Sequence, residues 1–212
     1  YDEHFGSIED TFLKDEKNVE IINCGKETSS FLRTLDIVQS KNFHDDKIIY
    51  FLEDDYLHRP NWCSVILEGL SNNFNYISLC DHKVNYIVDS KSIVSYTKST
   101  HWRNIMGCTN SFATTIKTLI EDEKYHRDYS SLLAINMNQL KMLRYENSYI
   151  KDEYSFSDDY SKFYNLYLRK SRKIGCTIPG FSCHCEEKDM MYIIQWEDYL
   201  NIPKPKNVLL YS

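Results

Sequence analysis

Glycine and proline are scarce in this chain, six and four among 212 residues, which excludes collagen-like and linker-like classes. No apolar run approaches the length of about 18 residues that a spanning helix needs, so no membrane span is expected. A basic excess is missing too: 25 Lys and Arg face 31 Asp and Glu, a formal charge of −6. A dedicated binder of nucleic-acid backbone needs a basic face, so no nucleic-acid partner is expected. The chain has no Gly-x-Ser-x-Gly elbow, no phosphate-binding P-loop and no Gly-x-Gly-x-x-Gly turn. Those absences disfavour serine hydrolases, ATPases and dinucleotide oxidoreductases.

What is there is enough to build a core. Hydrophobic residues make up 42% and aromatics 14%, too apolar for a disordered chain. A chain of this length buries roughly 70% of the surface its unfolded form exposes. The seven cysteines are odd in number and mostly lie inside apolar runs, which fits reduced thiols and a cytoplasmic location. Cys176, Cys183, His184 and Cys185 lack the paired spacings of a structural zinc site. No secretory signal peptide is visible at Tyr1. With no repeat and no linker, residues 1–212 read as one domain.

Along the chain, Ser7–Lys17 reads as helix and Val19–Cys24 as a strand ended by Gly25. Thr28-Ser29-Ser30 is cap chemistry ahead of Phe31, Leu32, Leu35, Ile37 and Val38 at helical spacing. Strands are expected at Lys47–Leu52, Asn75–Cys80, Asp89–Thr97, Cys108–Thr114 and Ile174–Cys183, the last as one late strand. Helices are expected at Trp62–Leu70, Ile116–Glu123 and Ser157–Arg169, with an extended tail holding Pro203 and Pro205. The alternation argues for an α/β fold with a central, mainly parallel mixed sheet flanked by helices. Ligands of such sheets bind beyond the carboxyl ends of the strands.

That rule points to Glu53-Asp54-Asp55, three carboxylates delivered at the end of the apolar run Ile48–Leu52. Adjacent acids repel, and a hard divalent cation such as Mn²⁺ or Mg²⁺ is their natural partner. On extended backbone Glu53 and Asp55 project to one side, so one metal–phosphate unit can engage both. A solvated acidic loop is the competing reading.

With further features in chain order, the sequence resembles the GT-A glycosyltransferases, in a family-2-like subgroup. Asn23-Cys24-Gly25-Lys26, then Ser30 and Arg33, resembles the turn and helix that meet the nucleotide. Glu53 through Trp62 resembles the extended acidic motif, with Glu-Asp-Asp in place of Asp-x-Asp. Ser157-Asp158-Asp159-Tyr160 resembles the later motif that supplies a catalytic base. Ile178 through Glu186 resembles the late strand whose histidine completes the metal shell. Leu79-Cys80-Asp81-His82, His101-Trp102-Arg103 and Asn110-Ser111-Phe112-Ala113 fit the same subgroup. It includes enzymes of bacteria and of large DNA viruses, chlorovirus-type, that glycosylate their own capsids; a viral member would act in host cytoplasm. The likeness covers about residues 19–197, and the family's first strand is expected before Tyr1.

The resemblance implies a GT-A-like fold, with a nucleotide-binding half over about 1–80 and an acceptor-facing, metal-completing half over about 81–200. It implies inverting, metal-dependent transfer of a sugar from a UDP-sugar donor to a glycan or glycoprotein acceptor. It places Asp55 and His184 on Mn²⁺ or Mg²⁺, and Tyr1, Asp2, Ser30, Arg33, Glu53 and Asp54 on the nucleotide. Asp159, with Asp158 beside it, is the implied base. His82, Trp102 and Arg103 are implied contacts of donor sugar or acceptor, Arg103 also of phosphate. Bland readings stand beside these: Asp158 and Asp159 as helix caps, His184 as a core histidine, Trp102 and Trp196 as core. Asp122 is the rival base, on a helix end that reads as solvated surface. A nucleotidyl- or phosphotransferase with a strand-end metal, or a non-catalytic sugar-nucleotide-binding domain, are the alternative functions.

Overall fold

The computed structural model describes residues 1–53, 55–82, 84–87, 93–105, 111–127, 171–185, 194 and 196–199. The helix expected at Ser157–Arg169 and the extended tail lie outside the described residues, as do Asp54, Asp158 and Asp159. Among the described residues no helix is long and apolar enough to cross a membrane.

The architecture is α/β: a mixed six-stranded sheet with helices against it. The strands are β1 (Ile48–Phe51), β2 (Tyr56–His58), β3 (Tyr76–Ser78), β4 (Val94–Tyr96), β5 (His101–Ile105), β6 (Phe112–Thr115), β7 (Ile174–Ile178) and β8 (Ser182–His184). The large sheet has the order β1-β6-β3-β7-β5-β4, and β2 with β8 forms a separate two-stranded ribbon. Among the described strands of the large sheet only β3 and β7 pair in parallel; the other four pairings are antiparallel. The expectation of a mainly parallel sheet is corrected here. β1, β3, β4 and β7 do run one way, but β6 intervenes between β1 and β3, and β5 between β7 and β4. Short apolar runs carry no signal for strand direction, so the inserted antiparallel strands were invisible in the sequence.

Helix α1 (Glu27–Ser40) follows Gly25, whose φ of +73° reverses the chain in a way that favours glycine. It buries Leu35 and Val38 against Ile49, Phe51, Phe112, Ile116 and Leu119. Helix α2 (Trp62–Ser71) starts at Asn61, held at φ +65°, a conformation asparagine tolerates. It buries Val65 and Ile66 with Phe74, Ile77, Leu79 and Trp102 in a second cluster. Gly69 is needed there, because a Cβ would stand 2.4 Å from the Trp102 ring. Shorter helices among the described residues are α3 (Val84–Ile87), α4 (Ile116–Glu121) and α5 (Glu123–Arg127).

Two further expectations change. Ser7–Lys17 is not a helix: one 3-10 turn spans Ile8–Asp10, with Ser7 Oγ accepting from the Glu9 amide and Thr11 Oγ from that of Leu13. Hydroxyls that bond nearby amides offer the backbone an alternative to helix. Val19–Cys24 makes only a single parallel bridge, Ile22 with Asp2.

The expected late strand is two strands in different sheets. The chain leaves β7 at Ile178–Pro179, a cis peptide, and turns at Gly180. A Cβ on Gly180 would stand 3.0 Å from the Asp81 amide nitrogen, so the residue is small for close approach. β8 then bridges Cys80 through Ser182 and carries the ribbon over the carboxyl end of β3. Because β1, β3 and β7 share a direction, Glu53, Asp81 and the start of β8 emerge at one end of the sheet.

Candidate metal centre at the strand ends

Glu53 follows β1 and Asp55 precedes β2, so the two carboxylates flank the turn where the chain passes from sheet to ribbon. The ribbon register sets Tyr56 opposite His184. One step beyond, the Cys185 amide donates to the Asp55 carbonyl at 2.9 Å. These backbone bonds bring together residues 129 apart in sequence: His184 Nε2 lies 2.7 Å from Asp55 Oδ2. Glu53 completes the group, its ligand atom and those of Asp55 and His184 lying within 4.8 Å of one another. The Asp55 side chain is 46% exposed and that of His184 13%, so the group opens to solvent on the carboxylate side.

The donor set suits a divalent cation. Two carboxylates this close repel, and a hard ion offsets that charge; one imidazole among oxygen donors is compatible with Mn²⁺ as well as Mg²⁺. Of the residues predicted to bind metal, Asp55 and His184 are thus adjacent, and Glu53, predicted on the nucleotide side, joins them.

Beneath the centre lies an aromatic layer. Tyr56 packs on the His184 ring with centroids 5.2 Å apart, and burial raises the Tyr56 phenol well above its ordinary pKa. Tyr50 Oη is 2.9 Å from His58 Nε2, and both rings lie against Trp62. Burial pushes His58 down to about 4, with a hydrogen bond to the Tyr56 backbone acting the other way, so the imidazole is neutral at physiological pH.

A second predicted group forms at the amino-terminal segment. Ser30 Oγ donates to Asp2 Oδ2, and the Cys24 and His4 amides donate to Asp2 Oδ1 at 3.2 and 3.1 Å. The Ser30 hydroxyl, first among these bonds, holds the Asp2 carboxyl below its usual range. Ser30 is therefore inside the first turn of α1 and bound to Asp2, not the N-cap, which is Lys26. Tyr1 Oη donates to the Gly6 carbonyl at 3.1 Å, and Arg33 is exposed on α1.

The remaining assignments are redrawn by burial. Trp102 is fully buried and gives its indole N–H to Thr97 Oγ1 at 3.0 Å, so it is core and has no face for a sugar. Arg103 is 7% exposed; its guanidinium lies 3.4 Å from Asp81 Oδ1, bonds the Asn85 carbonyl and stacks on Tyr86. That commitment corrects its assignment to phosphate. His82 follows this pair, half-buried. Asp122 is corrected as well: it is buried, with both oxygens held by Arg172 at 2.8 Å and a third bond from Tyr76. It stands at the amino end of β3, away from the triad, as no base for a reaction at Asp55 could.

Sequence reasoning missed Tyr50, Asp81 and the role of His58. Asp81 carried the signal used for Glu53, an acid closing an apolar run. Tyr50 and His58 bracket the acidic turn symmetrically, a pattern legible only once the turn is known to close. No known protein family, no curated protein and no solved structure matches the chain.

Proposed function

We propose that the chain is a metal-dependent, inverting glycosyltransferase of GT-A type, moving a sugar from a UDP-sugar to a hydroxyl of a glycan or glycoprotein. The observation that carries the reading is the meeting of Glu53, Asp55 and His184 at the carboxyl end of the sheet. Those residues would hold Mn²⁺ or Mg²⁺, which when bound neutralises the diphosphate as it leaves. Asp55 and His184 would ligate the ion, with Glu53 beside them. Arg33, exposed on α1, supplies a charge-assisted hydrogen bond to phosphate.

Asp159 takes the proton of the acceptor hydroxyl as its oxygen bonds to the anomeric carbon. The bond from that carbon to the diphosphate oxygen breaks, and its electron pair leaves with UDP. Asp159 enters on the resemblance of its motif. The same resemblance puts Tyr1, Asp2 and Ser30 on the nucleotide side, where Asp2 and Ser30 shape the turn ahead of α1.

Calorimetry with UDP, with and without Mn²⁺, tests this, followed by detection of UDP released from UDP-sugars. Binding of UDP only with metal, lost in Asp55→Ala, is the expected result. Asp159→Asn should abolish transfer while keeping UDP and metal binding; full activity in that variant removes the base assignment. Absence of any nucleotide binding overturns the enzyme reading, and metal-dependent binding without turnover leaves a sugar-nucleotide-binding domain.

A further inference from the structure

Between β1 and β2 no backbone ladder exists among the described strands: β1 pairs with β6, and β2 pairs with β8 in the other sheet. Yet the two acids of the candidate centre sit on the turn that joins these strands. Their separation depends on whatever fixes β2 relative to β1. The Tyr50–His58 bond does this, closing an eight-residue separation at 2.9 Å with the rings edge-on, 5.7 Å between centroids.

Burial keeps the Tyr50 phenol protonated and the His58 imidazole neutral, so the bond joins two uncharged groups. A further bond ties the imidazole to the backbone of Tyr56, the residue directly after Asp55. The Ser111 and Ser182 hydroxyls flank the same phenol, one beside β6 and one on β8, the strand that carries His184. Phenylalanine at position 50 would fill the space; the hydroxyl adds an angle-dependent link that an apolar contact lacks.

We propose that Tyr50 and His58 are positioning residues, a clasp that holds Glu53 and Asp55 at cation-binding separation against their mutual repulsion. The inference rests on the metal reading above. Partners behind the ligands of metal sites typically alter affinity by about 10–100-fold when removed, and the clasp falls in that class.

The test measures Mn²⁺ affinity, by the electron paramagnetic resonance of free Mn²⁺, together with the thermal midpoint. Tyr50→Phe and His58→Phe are each expected to weaken Mn²⁺ binding by about ten-fold or more. The double variant should lose no more than either single one, because both act through one bond. His58→Gln, which keeps a hydrogen-bonding group, should regain part of the loss. Trp62→Phe packs on the same rings without sharing the bond, and should lower the midpoint while leaving Mn²⁺ affinity unchanged. Wild-type affinity in Tyr50→Phe and His58→Phe, or losses that add in the double variant, overturns the clasp while the metal reading stands. A wild-type chain that binds no Mn²⁺ overturns both.

Discussion

The sheet carries a polar cluster at each end, built from nearly the same side chains and in opposite states. At the amino end of β3, Asp122 and His126 are both buried, joined through Tyr76, and Arg172 grips the carboxylate with two 2.8 Å bonds. At the carboxyl end, Glu53, Asp55 and His184 gather as closely, but Asp55 is 46% exposed and its described ion-pair partner is the histidine. In the first cluster the protein supplies its own cation as a guanidinium, and the charge is settled internally. In the second, two carboxylates and an imidazole meet with the open side toward solvent. A carboxylate buried on its own guanidinium is architecture; carboxylates gathered at an open strand end are where the proposed cation would sit.

Removing Arg172 is the harshest way to break this contrast. Arg172→Ala strands a buried Asp122 carboxylate, and breaking a buried pair from one side costs about 3–5 kcal/mol. Chemical denaturation should show that loss, with Mn²⁺ affinity unchanged in the protein that remains folded. A stability within the ordinary surface range would mean that the Asp122 cluster is not the structural one. Asp55→Ala should do the reverse: stability within about 0.5 kcal/mol of the parent, as for an exposed side chain, and Mn²⁺ binding lost. Large destabilisation by Asp55→Ala would make the triad a structural element and erase the distinction.

The two clusters also mark where sequence suffices. Glu53 and Asp55 are readable because strand-end acids after an apolar run are conspicuous, and His184 through the motif resemblance that placed it with them. Helix α2 and strands β1 and β3 follow from the residue pattern to within a residue or two of their ends, whereas α1 begins at Glu27, ahead of the cap expected at Thr28-Ser29-Ser30. Asp122 misleads because Glu121-Asp122-Glu123 looks like a solvated charge run, and its neutralising Arg172 is 50 residues away. Trp102 misleads because a Trp beside His and Arg suits a sugar platform as well as a core; only Gly69 and Phe74 packed on its ring decide. The division of Ile174–Cys183 into β7 and β8 depends on the close approach of Gly180 to Asp81, a contact across distant sequence.

The gentlest probe of the contrast is pH, because the aromatic layer under the open cluster holds a group whose charge state folding controls. His58 sits at about 4 in the folded chain against 6.5 when free, so the unfolded chain binds its proton first as pH falls. Stability from this group is therefore complete above 6.5 and is lost as pH falls through 6.5 toward 4, by up to roughly 3 kcal/mol for a fully expressed shift. The groups facing it do not titrate in that window: burial raises the Tyr50 and Tyr56 phenols, and Ser111 and Ser182 are neutral hydroxyls. Asp81 works in the opposite sense, since burial raises its carboxyl and its protonation at low pH favours the folded state. Denaturation midpoints from pH 7 to 4 should thus fall with a slope that His58→Phe flattens. If His58→Phe retains the full slope, the acid sensitivity lies elsewhere and the imidazole beneath the acidic turn is not the neutral partner of Tyr50.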